Sequence, residues 1–377
     1  MSSYGVQYFL KRKSCSASHP LDALSSKKRV STPTTLVRSY LAQFGDLMPP
    51  PGFAPISLSD EPKDDIERLP DLCCSATSSR KAQTIIEKAT PQQLERIVAV
   101  LAPALPKLMV DAYGNYACQT LFLSCSPAQR LRLVQVLGPH LLEIAKDARG
   151  THSLQALVSL ITQSAEEAAL VSAFQTNVPE VARHPAAAHV LAKLMTTCKA
   201  NSPLIQSLTR HLESLCTDSL GLLVVKAAIT GANGNDCDLL RTRLIRSCVQ
   251  LMQDPFGNYA VQHMLETWGW EACSGVLEEV KGRLAQLSSQ KFASNTVERL
   301  LEQAPEQARE QLLSELLEPV KLRELLSNKF AQFVFKKALL LHGSTFRLQL
   351  QRAVAEILPN AHKHRSKWQA VLGLLAN

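Results

Sequence analysis

The sequence lacks the short motifs of the common enzyme classes. It has no GxxxxGK[ST] phosphate loop, no HExxH zinc helix and no GxSxG nucleophile turn. Gly231-Ala232-Asn233-Gly234 is a loop between two repeats, not a phosphate cradle, so no enzymatic activity is expected. No apolar run approaches the roughly 18 residues of a membrane span; the best, Leu220–Val225, stops at Lys226. None of the ten cysteines forms a CxxC pair, and Cys73 and Cys74 are adjacent, which hinders a structural disulfide. With no secretory apolar segment at the N-terminus, they read as reduced thiols of an intracellular protein. No Cys/His cluster has ligand spacing, so neither a metal nor a cofactor is expected. No segment alternates like a strand.

Against those absences stand 377 residues, 46% of them apolar, enough for two average domains or one long repeat array. Basic residues number 41 against 33 acidic, a net charge of +8 that leans towards a polyanionic partner without naming one.

Residues 1–69 differ from the rest. They carry Lys11-Arg12-Lys13, Lys27-Lys28-Arg29, many serines, the run Met48-Pro49-Pro50-Pro51-Gly52 and an acidic patch of Asp60-Glu61 and Asp64-Asp65. Such composition is expected to stay disordered, with Thr35–Phe44 hinting at a short helix. Up to Phe44 Asp22 is the sole acid, which resembles a mitochondrial transit peptide. An unstructured basic tail is the favoured alternative. From 70 to 377 the apolar spacing is helical, as in Leu94-Ile97-Val98-Leu101. The helices are short and separated by Pro, Gly or Asp, which predicts helical hairpins.

Sliding the chain on itself exposes a repeat. Asp111-Ala112-Tyr113-Gly114-Asn115-Tyr116-Ala117-Cys118-Gln119 returns as Asp254-Pro255-Phe256-Gly257-Asn258-Tyr259-Ala260-Val261-Gln262, offset by 258 − 115 = 143 residues. That is close to four times 36. The matching positions are Ser79, Asn115, Thr151, Ala188, Leu222, Asn258, Ser294 and Gln332, at intervals of 36, 36, 37, 34, 36, 36 and 38. The residue before each is small, and six of the eight residues four places earlier are good helix N-caps (Ser75, Asp111, Asp147, Asp218, Asp254, Asn328). Each repeat therefore starts a helix at the same place. The small residues suggest close packing of successive helices. Two helices per unit of about 36 residues predict an all-α fold, an α-solenoid of about eight repeats forming a curved arch, closed by C-terminal capping helices.

The aligned helices carry a ladder. Positions 0 and +4 share a face: Ser79 with Gln83, Asn115 with Gln119, Thr151 with Gln155, Asn258 with Gln262, Ser294 with Glu298. These are polar residues of the kind usually exposed, able to donate and accept. At +1 stand Arg80, Tyr116, His152, His189, Tyr259, Asn295 and Phe333. Polar groups reading base edges, with flat groups stacked between bases, is the physics of single-strand recognition.

In these residues the repeat resembles that of the Pumilio (PUF) family of RNA-binding proteins, over about residues 70–345. The resemblance implies that the 0/+4 pair reads a base edge, that the +1 residue stacks, and that RNA runs antiparallel with repeat eight at its 5′ end. Asn115/Tyr116/Gln119 and Asn258/Tyr259/Gln262 resemble uracil readers, Ser294/Asn295/Glu298 a guanine reader and Ser79/Arg80/Gln83 an adenine reader. Thr151/His152/Gln155 leaves adenine or uracil open. Ala188/His189/Ala192 and Leu222/Leu223/Lys226 depart from the pattern, and Gln332/Phe333/Lys336 gives no clear edge reading. Lys226 and Lys336 are candidates for phosphate contact.

The implied target is N-G-U-N-N-(A/U)-U-A. The expected role is binding mRNA 3′-untranslated elements to regulate translation or stability, as a cytoplasmic monomer with a co-repressor on the convex face and no membrane contact. A nucleolar protein binding pre-rRNA, with Lys27-Lys28-Arg29 as its nuclear address, is the alternative.

Overall fold

The computed structural model describes residues 64–326, 328–341 and 344–357. The chain divides into two units, Met1–Ser59 and Asp60–Asn377, and all described residues lie in the second. The basic clusters, the proline run and the Thr35–Phe44 helix of the sequence reading lie outside the described residues.

Eight helices among the described residues follow the repeat frame. They are α1 (Ser79–Lys88), α2 (Gly114–Ser124), α3 (Gly150–Ser159), α4 (Ala187–Thr197), α5 (Ser219–Gly231), α6 (Gly257–Cys273), α7 (Ala293–Gln303) and α8 (Ala331–Leu341). Each packs on the next, and the outer helices that follow them form a second stacked layer. Neighbouring ladder helices touch more extensively than neighbouring outer helices, so the ladder lines the inside of the curve. No strand occurs among the described residues, and the fold is the expected α-solenoid. Fully buried Phe122, Phe174 and Phe335 fill the space between the layers. Burial of such a side chain contributes about 1.5 to 3 kcal/mol.

Three helices, not two, make up most units. After α2 comes Pro127–Leu137, a 3₁₀ turn at Gly138–His140, and a short helix Leu141–Lys146. In units one and two prolines cause the break, since a proline inside a helix loses a hydrogen bond and clashes with the preceding turn. Pro139 does this in unit two, Pro103 and Pro106 in unit one. Gly234–Gln253, with no proline, runs unbroken for 20 residues, whereas units four and six break at His211 and around Gly282 without one. The outer helices after α1 and α2 start with matching capping boxes. Thr90 and Ser126 accept from the Gln93 and Gln129 amides at 3.3 Å, and those glutamines accept in return at 2.8 and 2.9 Å.

The folded unit begins earlier than the 69/70 boundary read from composition. Asp64–Glu67 and Leu69–Cys73 are helices, Ile66 and Leu69 are buried, and Asp65 pairs with Lys81 at 2.6 Å. The acidic residues had hidden an apolar i, i+3 pair.

Cap chemistry explains why the ladder helices stay in frame. Asp111 Oδ1 accepts from the Tyr113 and Gly114 amides, both at 2.8 Å. Asp147, Asp218, Asp254 and Asn328 do the same in their repeats. His184, not counted among the good caps, fills the role through Nδ1 at 3.3 and 3.4 Å. Ser75 bonds Thr77 instead, and Gln290 bonds Gln253. The small residue at −1 has a specific reason. A Cβ on Gly114, Gly150, Gly221 or Gly257 would lie 2.5 to 2.9 Å from the carbonyl oxygen of the residue six before it. The close approach is to the preceding short or outer helix, rather than to the next ladder helix.

Candidate nucleic-acid interface

The 0/+4 pairs lie deeper than polar groups of their type suggest. Asn115, Gln119, Thr151, Asn258 and Ser294 are all buried, with Asn258 only 1% exposed. Ser79 and Gln83 are buried as well, while Gln155, Gln262 and Glu298 are half-buried. Buried polar groups are as a rule hydrogen-bonded, and most of these are, largely to their own repeat. Asn115 Nδ2 donates to Asp111 O at 2.8 Å and Ala112 O at 3.1 Å, and its Oδ1 accepts from Gln119 Nε2 at 3.4 Å. Asn258 repeats the arrangement 143 residues later: Nδ2 to Asp254 O at 2.8 Å and Pro255 O at 3.0 Å, Oδ1 from Gln262 Nε2 at 2.9 Å. In both repeats the asparagine has spent its two N–H groups on the backbone, and it orients the glutamine. The glutamine keeps one N–H and its carbonyl oxygen for a ligand.

The other pairs differ in detail. Gln155 Nε2 donates to Thr151 Oγ1 at 3.1 Å, and Thr151 donates onward to Ala186 O of the next repeat at 3.1 Å. Arg80 Nη1 donates to Gln83 Oε1 at 3.2 Å, linking a +1 residue to its own +4 partner. Ser294 Oγ donates to Lys291 O at 3.4 Å. At the departing repeats Ala188 and Leu222 are buried and apolar, with Ala192 and Lys226 half-buried. Gln332 Nε2 donates to Lys329 O at 2.7 Å, and Lys336 is exposed.

The +1 residues stand out from the face. Arg80, His152, His189, Tyr259, Asn295 and Phe333 are exposed and Tyr116 is half-buried; Tyr259 and Phe333 are each 51% exposed. Partial desolvation, and then the charge of His189, hold the His152 pKa below the ordinary histidine range. The +1 side chains of repeats three and four thus sense each other. Desolvation likewise lowers the His263 pKa, with Lys226 adding to the effect.

One column escaped the sequence reading. Residues at +8 bridge to residues at +5 of the next repeat. Thr230 Oγ1 lies 3.1 Å from His263 Nε2, Glu266 pairs with Arg299 at 3.0 Å, and Glu302 pairs with Lys337 and, at 2.6 Å, with Arg299. This polar rail joins repeats five to eight beside the 0/+4 pairs. Opposite charges at +8 and +5 in the 36-residue frame were its signal.

A family model described as "Pumilio-family RNA binding repeat" matches residues 82–102, 106–137, 247–269 and 283–317. Those segments fall on repeats one, two, six and seven, which carry Gln83, Asn115, Asn258 and Ser294. Pumilio homolog 12 of Arabidopsis thaliana is 27% identical over 187 residues, 48% of this chain and 31% of that protein. Pumilio domain-containing protein C6G9.14 of Schizosaccharomyces pombe is 28% identical over 211 residues, 54% of this chain and 30% of that protein. The matched region thus spans about a third of the curated relatives' length. In three dimensions the chain is similar to the Puf4 RNA binding domain bound to HO endonuclease RNA 3′ UTR recognition sequence. The TM-score is 0.75 at 23% identity, covering 84% of this chain and 100% of that one. It is also similar to PUF-8 in complex with PBE-RNA, with TM-score 0.72 at 18% identity, covering 91% and 100%. Four of the eight repeats thus match the Pumilio-family RNA binding repeat, and the chain is similar to Pumilio homologues in sequence and to Puf domains in fold.

Proposed function

We propose that the ladder face binds single-stranded RNA, one base per repeat, and selects N-G-U-N-N-(A/U)-U-A. The observation that carries this is the duplicated Asn–Tyr–x–x–Gln network at Asn115/Gln119 and Asn258/Gln262, with identical internal partners 143 residues apart. A glutamine held in this way offers one donor and one acceptor. Uracil presents N3–H beside a carbonyl oxygen and complements it. The carboxylate of Glu298 accepts from guanine N1–H and N2–H, which no other base presents together. Exposed Tyr259, His152 and His189 supply flat faces between bases, each worth about 1 to 3 kcal/mol per stacked base.

The biological role proposed is recognition of mRNA 3′-untranslated elements in the cytoplasm, with a co-repressor on the outer layer. The similar Puf4 domain is bound to a 3′ UTR recognition sequence, which supports that reading. Selection from a random RNA pool tests the binding. Enrichment of G-U followed two nucleotides later by (A/U)-U-A is expected, and an enriched motif without these bases would overturn the register. Imaging of the tagged protein tests the role, since a nucleolar signal would favour pre-rRNA instead.

A further inference from the structure

The ladder is interrupted between its two reading halves. Repeats one to three and six to seven carry polar pairs, whereas α4 and α5 present Ala188 and Leu222, both buried and without an edge to offer. The chain interval is also shortest here: 222 − 188 = 34 residues, against 36 to 38 elsewhere. The C-terminal ends of α4 and α5 are held unusually close. A Cβ on Gly231, the last residue of α5, would lie 1.9 Å from Met195 O of α4. At the same register the other seven repeats carry a side chain, from Lys88 to Leu341. Relieving that overlap needs a shift of at least about 1.1 Å (3.0 − 1.9 Å), because the opposing atom is backbone.

Asn201 locks this junction. It is 2% exposed, and its Nδ2 donates to Met195 O at 2.7 Å and to Gly231 O at 3.1 Å. Both carbonyls belong to the last turn of their helices, where no intrahelical donor remains. One side chain thus caps the C-terminal ends of two successive ladder helices and ties repeat four to repeat five.

We infer that Gly231 and Asn201 are positioning residues that set the number of unread nucleotides between the two halves of the target. The site measures RNA as well as reading it: G-U on one side, (A/U)-U-A on the other, two nucleotides between. A single-stranded RNA follows the spacing of the helices that hold its bases. A junction fixed by one buried amide and one absent side chain therefore fixes the span. This inference rests on the RNA-reading function proposed above.

The test is competition binding with RNAs whose two read segments are separated by one, two, three or four nucleotides. The full chain should prefer the two-nucleotide spacer over the three-nucleotide one by about tenfold or more. Gly231→Ala should erase or reverse that ratio while keeping the base preferences within each segment. Asn201→Ala, which removes both bonds without adding bulk, decides the matter if Gly231→Ala does not fold. A folded variant, confirmed by a cooperative thermal transition, that keeps the wild-type spacer ratio overturns the inference. So does a wild-type protein that selects both segments at any spacing. If neither segment is selected, the RNA-reading function itself has failed.

Discussion

Glu166→Ala is expected to destabilise the solenoid more than a change in any reader. Arg130 and Glu166 occupy the same register in consecutive outer helices, 36 residues apart, and their side chains are 8% and 0% exposed. Glu166 Oε1 accepts from Arg130 Nε at 2.9 Å, and Oε2 accepts from the Thr162 and Gln163 amides at 3.1 and 3.0 Å. Removing the carboxylate leaves a buried guanidinium whose remaining bonds are to Cys125 O at 2.8 Å and Thr162 Oγ1 at 3.5 Å. Breaking one side of such a pair costs about 3 to 5 kcal/mol, because the surviving charge stays desolvated. The two freed amides sit at a helix start, where water can reach them, and add about 1 kcal/mol or less. A loss of about 4 kcal/mol is a large share of the 5 to 15 kcal/mol typical of a domain. In a repeat array it falls on one interface, so repeats one and two should separate in unfolding from the rest. Urea denaturation followed by circular dichroism measures the loss. The double change Arg130→Met with Glu166→Leu should recover most of it, since an apolar pair of similar volume needs no partner. A Glu166→Ala loss below about 1 kcal/mol, or a double variant worse than the single one, would refute the reasoning.

Three further outcomes are expected. The triple change Ser294→Asn, Asn295→Tyr, Glu298→Gln should move the preference at the second base from G to U; fluorescence anisotropy on the two RNAs decides, and retained preference for G would break the register. Tyr259→Ala should weaken binding of every sequence by about 1 to 3 kcal/mol with base preferences unchanged, and equal affinity of variant and wild type would show that bases do not stack there. In an NMR titration His152 should lose its proton below the ordinary histidine midpoint, and His189→Asn should raise that midpoint because a repelling charge is gone, yet not fully, since desolvation is the larger cause. As the folded state disfavours His152 protonation, its charging subtracts from stability as pH falls through the ordinary histidine range, and an unchanged midpoint in His189→Asn would separate the two side chains.

Much of the molecule was legible because a repeat is a local property written several times. The offset from Asn115 to Asn258 fixes the frame, and the aspartates at −4 mark four of the eight helix starts through hydrogen bonds two and three residues long. The i, i+4 geometry of one helix places Asn258 beside Gln262, and the absence of any alternating segment argues against a sheet. The burial of those pairs was not legible. Asparagine and glutamine read as surface residues until the backbone carbonyls of Asp254 and Pro255 are seen to take both Asn258 N–H groups. Nor was the third helix of most units, which Pro103, Pro139 or a break such as that at His211 makes by dividing one helix into two.

What only the tertiary structure decided lies between repeats: Arg130 meeting Glu166, Thr151 reaching Ala186 O, the rail from Glu266 to Lys337, and Asn201 with Gly231 at the middle of the ladder. Sequence spacing constrains residues a few places apart. Partners 30 or more residues apart are set by how two helices cross, and that depends on every side chain packed between them.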